Sequence, residues 1–95
     1  MRSLFIKCGS KSYILKPISI MLDSKDDADY LRIFTNKTII LVKLKYKIVK
    51  SNNKIDDFLI EIERRDYYFI ATEVKEFLIT DGIIELSKFD STLTL

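Results

Sequence analysis

The stretch TIILVKLKYKIVK, residues 38–50, decides how the chain is read. From Val42 to Ile48 apolar and charged residues alternate one for one, with Val42, Leu44, Tyr46 and Ile48 set against Lys43, Lys45 and Lys47. A period of two sends one set to each face of a strand, whereas a helix would scatter both sets around its circumference. The stretch therefore predicts a strand with an apolar face and a lysine face.

The neighbouring segments read the same way. YLRIFT and TIILV flank Asn36-Lys37, a tight hairpin in which asparagine tolerates the left-handed conformation. Upstream, SLFIKC and SYILKPISIML are rich in β-formers and separated by GSK, a hairpin loop. Pro17 lacks an amide for the ladder, so it places its strand at an edge or breaks it. Downstream, DFLIEIER alternates again, with Phe58, Ile60 and Ile62 opposite Leu59, Glu61 and Glu63. YYFIATEV follows as a strand apolar on both faces near its centre.

Two segments carry helical signals. Ser24 with Asp27 three residues later resembles a weak capping box and suggests a helical turn or short helix over residues 24–31. TEVKEFLITDG, from Thr72 to Gly82, fits a short helix capped by Thr72 or one arm of a hairpin turning at Asp81-Gly82. The hairpin is preferred for residues 77–86, with at most one helical turn at residues 73–76. Seven or eight short strands joined mostly by hairpins predict a mainly β class, all-β or β-rich α+β. The expected form is a small antiparallel barrel or two-layer sandwich.

Composition sets the remaining bounds. Ninety-five residues without a linker, repeat or composition shift make one domain over residues 1–95, with residues 90–95 as a frayed tail or short edge strand. No apolar run approaches the roughly 20 residues of a membrane span, and Lys7 interrupts the N-terminal apolar patch short of a signal-peptide core. An intracellular, cytoplasmic protein without membrane partners is expected. Cys8 is the only cysteine, which excludes an intrachain disulfide and suits a buried or half-buried apolar role. Asn36-Lys37-Thr38 matches a glycosylation sequon but reads as a turn in that compartment, and GSKS lacks the first glycine and spacing of a phosphate loop. Many Ile and Lys with scarce amide side chains fit a thermophile-like composition or an AT-rich genome, cellular or viral.

Function classes narrow by what is missing. The chain has no histidine, the commonest general base, so Cys8 has no imidazole partner and no enzyme or cofactor is expected. Asp23, Asp26, Asp27 and Asp29 form an acidic run without the spacing of a calcium loop, and no metal site is assigned to it. Tyr67, Tyr68 and Phe69 in one strand load both its faces with aromatic surface, which a second layer or another chain must cover. These three, with Tyr46 as neighbour, are the candidate interface of a non-catalytic protein that docks on another protein as an accessory subunit, inhibitor or homodimer. The alternative is a small nucleic-acid-binding barrel. In it Lys43, Lys45 and Lys47, spaced over about 13 Å of strand, would meet phosphates beside Arg64 and Arg65 while tyrosines stack bases. Against that stand the net charge of +2 and Glu61 and Glu63, which on a neighbouring strand would neutralise the lysines. A carboxylate and metal enzyme using residues 23–29 is a distant third.

Overall fold

The computed structural model describes residues 3–25, 27–50, 52 and 54–79. Its strands are β1 (Leu4–Cys8), β2 (Lys11–Leu15), β3 (Ser19–Lys25), β4 (Ala28–Phe34), β5 (Thr38–Leu44) and β6 (Tyr67–Leu78), with helix α1 (Ile55–Arg64) between β5 and β6. The protein is mainly β. Its six described strands form one sheet in the order β2-β1-β6-β5-β4-β3, antiparallel throughout except for the parallel pair β1 and β6. Within the expected class, the second layer over the described sheet is a helix, and the sheet is mixed because the first and last described strands lie side by side.

The period-two patterns become one buried face. Leu4 and Ile6 of β1, Ile20 and Leu22 of β3, Leu31 and Ile33 of β4, and Ile40, Val42 and Leu44 of β5 line it. Phe58 and Ile62 of α1 close over it, together with Val49 from the loop after β5. The opposite face carries a smaller cluster of Ala28, Tyr30, Ile39 and Leu41, with Phe34 and Phe77 packed against it. Cys8 is half-buried against the main core, as its apolar character suggests.

Three local expectations are corrected. The described residues of 24–31 form no helix: Lys25 pairs with Ala28 and Ser24 with Asp29 where β3 meets β4. The alternation of Ile20, Leu22, Leu31 and Ile33 buries more than a helical turn of that polarity would. DFLIEIER is not a strand but most of α1. Ile55, Phe58, Leu59 and Ile62 recur at helical spacing, Asp56 and Asp57 sit in the first turn and Arg64 in the last, each favourable to the helix dipole. Residues 73–76 are strand, because β6 runs unbroken to Leu78 against β5. The preferred hairpin over residues 77–86, apart from its start in β6, and the tail at residues 90–95 lie outside the described residues.

The comb strand also stops early. β5 ends at Leu44, and Lys45 to Ile48 leave the ladder. Other turns follow the sequence: Thr35 N–H donates to Thr38 C=O at 2.9 Å across Asn36-Lys37, and Pro17 is buried in the break between edge strands β2 and β3. No described helix is long and apolar enough to cross a membrane.

Gly9 turns β1 into β2 with φ of +60°, and a Cβ added there would meet nothing within 4 Å. Only backbone strain then opposes a side chain, so Gly9→Ala is expected to cost about 1 kcal/mol. Urea denaturation of the variant checks this, and a loss above about 2 kcal/mol would require a contact that the open space does not offer.

Candidate binding surface on the open half of the sheet

β6 belongs to two halves of the sheet. Its first residues pair with β1, from Leu4 with Tyr67 to Cys8 with Ala71, and its later ones pair with β5, from Ala71 with Leu44 to Leu78 with Thr38. At the crossover Thr72 is the extra residue of a bulge, its hydroxyl donating to Lys43 C=O at 3.3 Å. The start of β6 is fixed by Asp66, which accepts the Ser3 N–H at 3.1 Å, while Tyr67 N–H donates to Ser3 C=O at 3.1 Å.

Alternation along β6 separates the aromatic run. Tyr67 and Phe69 face α1: their rings stack at 4.9 Å, and Phe58 meets them edge-on at 5.8 and 6.3 Å. These two candidate interface residues belong to the core. Tyr68 points the other way and is 57% exposed, beside Ile70 at 43%. Register brings further residues to it that sequence reasoning missed. Phe5 is the partner of both Tyr68 and Ile14, so Ile14, Phe5 and Tyr68 form one row across β2, β1 and β6, with Ile14 69% exposed. In the next row Lys7 is the partner of Ile70, whose carbonyl accepts the Lys45 N–H at 2.9 Å.

Tyr46, 62% exposed, stands where the chain leaves β5. With Leu44, Ile48, Tyr68, Phe69 and Ile70 it lines an open hollow of about 200 Å³. The departure is enforced by Asp29, a fully buried carboxylate whose Oδ2 accepts the N–H groups of Ile48 at 2.6 Å and Val49 at 2.8 Å. A second hollow of about 310 Å³ beside the start of α1 is lined by Asn52, Lys54, Asp57, Phe58 and Glu61, with charges of both signs.

The candidate phosphate-binding residues do not form one patch. Lys43 lies with its Nζ 5.8 Å from the Tyr30 ring centroid and is partnered in register by Glu73. Lys45 sits 5.5 Å from the Tyr46 ring, and Lys47 is exposed beyond the strand end. Arg64 and Arg65 end α1 in the layer over the other face, where Arg65 pairs with Glu61 and lies 5.5 Å from the Tyr67 ring. Glu61 and Glu63 are on that helix too, so they do not neutralise the lysines of β5 as a neighbouring strand would have done.

The acidic run also disperses. Asp23 pairs with Arg32 at 3.3 Å on one face of the sheet, whereas Asp29 is buried on the other. No family model, curated protein or solved structure matches the chain.

Charge is unevenly spread around the row. Residues 3–16, 43–50 and 67–72, which supply β1, β2, the end of β5 and the start of β6, contain seven lysines and no acidic residue. The rest of the chain holds nine basic residues and all fourteen acidic ones. These 28 residues thus hold seven of the sixteen basic residues and none of the fourteen acidic ones.

Proposed function

We propose that this chain is a non-catalytic binding protein that docks on another protein through the open half of its sheet. The observation that carries the reading is the row of exposed Ile14, half-buried Phe5 and exposed Tyr68, continued by exposed Ile70 and Tyr46, on the face opposite the one that α1 covers. Exposed apolar side chains scattered singly need no explanation, but a contiguous group rimmed by charge marks an interaction surface. Aromatic residues at the centre of such a group are the usual anchors of a protein contact.

A second reading as a single-strand nucleic-acid platform draws on Phe5 and Tyr68 as stacking groups and Lys7 and Lys45 as phosphate partners. The aliphatic Ile14 and Ile70 within the same patch favour a protein. Photo-crosslinking tests the choice: a benzoylphenylalanine replacing Tyr68 is expected to give protein adducts, including self-adducts if the protein is a homodimer, in extracts of cells expressing the chain. The same group replacing Glu63 on α1 should give none. Equal adducts at both positions, or adducts at Tyr68 removed by nuclease, would overturn protein docking on this face.

A further inference from the structure

We infer that the docked partner presents an extended acidic and apolar peptide segment, which adds alongside residues 68–70 of β6 and seats one apolar side chain in the hollow at the end of β5. The inference rests on the docking reading above and names the chemistry of its partner.

Backbone geometry comes first. Tyr67 N–H donates to Ser3 C=O, so in the parallel ladder Tyr67, Phe69 and Ala71 turn their amide groups toward β1. Alternation then aims those of Tyr68 and Ile70 to the other side. There β5 has ended at Leu44, and Lys45 N–H takes the Ile70 carbonyl before the chain is drawn away by Asp29. The amide and carbonyl of Tyr68 and the amide of Ile70 therefore look into the hollow. Strand addition at a sheet edge supplies affinity through such main-chain groups and specificity through pockets for alternate side chains.

Size comes next. At about 200 Å³ the hollow is smaller than the roughly 300–1,000 Å³ of small-molecule sites. Its apolar lining of Leu44, Ile48 and Phe69 suits one large side chain. Charge then selects the neighbours of that side chain. Lys7 of β1 and Lys45, just past the end of β5, flank Ile70, and the three sequence segments around the hollow contain no acidic residue. A strand alternating carboxylates with apolar residues would set its acids against these ammonium groups while its apolar residue enters the hollow. Phosphates would find the same lysines, but a nucleic acid cannot continue the ladder at Tyr68.

The test uses the full chain and three fluorescent probes: a ten-residue peptide alternating Glu with Leu and Phe, the same peptide with Lys for Glu, and a twelve-residue oligothymidylate. The acidic peptide should bind, weaken between about 50 and 200 mM salt, and slow exchange of the Tyr68 and Ile70 amide hydrogens. Lys45→Glu with Lys7→Glu, or Tyr68→Ser alone, should each weaken it about tenfold or more without moving the melting temperature, since all three side chains are exposed. Tighter binding of the oligothymidylate, equal binding of the basic peptide, binding without amide protection, or no binding by any probe would each overturn the inference. Protein adducts at position 68 combined with no peptide binding would sink this inference alone, whereas absence of both would remove the docking reading as well.

Discussion

Replacing Asp29 with alanine is expected to lower the unfolding free energy by about 2–5 kcal/mol, since each buried donor left without its partner costs about 1–3. Two donors depend on this fully buried carboxylate: Oδ2 accepts from Ile48 at 2.6 Å, a part-buried bond, and from Val49 at 2.8 Å, a buried one. Domains of this size have only about 5–15 kcal/mol to lose. The melting temperature should fall by at least about 8 °C, at roughly 4–8 °C per kcal/mol. Asp29→Asn keeps an oxygen acceptor and should cost no more than about half as much, so the pair of variants separates hydrogen bonding from side-chain volume. Urea denaturation reads both. A loss below about 1 kcal/mol for Asp29→Ala would mean that burial of Val49 alone holds the loop. The loop matters beyond stability, because it carries Tyr46 and Ile48 away from β6 and so opens the hollow.

This carboxylate also explains how far the sequence could be followed. The comb from Val42 to Ile48 correctly announced a strand, yet Lys45, Tyr46, Lys47 and Ile48 left it. What holds the chain off the ladder is the hydrogen bond that Ile48 N–H donates to Asp29, 19 positions earlier, and no local pattern encodes it. Asp29 itself reads in the sequence as one more acid in the run from Asp23. Residues 57–64 failed for a different reason: Phe58, Ile60 and Ile62 alternate while Ile55, Phe58, Leu59 and Ile62 follow a helical stripe. Both periods coexist in so short a segment, and the acids at its start and the arginine at its end were the signals that would have chosen.

For the candidate surface, the aromatic run was visible but its division was not. Tyr67, Tyr68 and Phe69 had to alternate in any strand, which assigned Tyr68 and its two neighbours to opposite faces. Which face a helix would cover depended on the fold. Phe5 and Ile14 were beyond reach, because they join Tyr68 only through the parallel pairing of β1 with a strand more than 60 positions away. Net charge, likewise, does not say where the charges lie. Glu61 and Glu63, which were to neutralise the lysines, are in α1, whereas Glu73, not singled out from the sequence, is the cross-strand partner of Lys43.

Phe58→Ala is expected to cost about 3–5 kcal/mol, the range for deleting a buried phenylalanine, and to release α1 in particular. Its ring meets Tyr67 and Phe69 edge-on, contacts each worth about 0.5–1.5 kcal/mol beyond burial. The helix has few other anchors: Ile62 is buried and Leu59 partly so, and Lys54 at its start makes no side-chain cap. Ten residues do not hold a helix in water without packing. Amide exchange in residues 55–64 should therefore accelerate more than in β4 and β5, while Phe58→Leu should lose less than half as much. Uniform acceleration across sheet and helix would show that α1 and the sheet unfold together instead. Release of α1 would also uncover Tyr67 and Phe69, leaving the start of β6 apolar on both faces. Binding of a dye such as anilinonaphthalene sulfonate should then rise. The covering helix thus confines the exposed apolar surface at the start of β6 to the face of Tyr68 and Ile70, and a docking site there is specific only while Tyr67 and Phe69 stay closed on the other face.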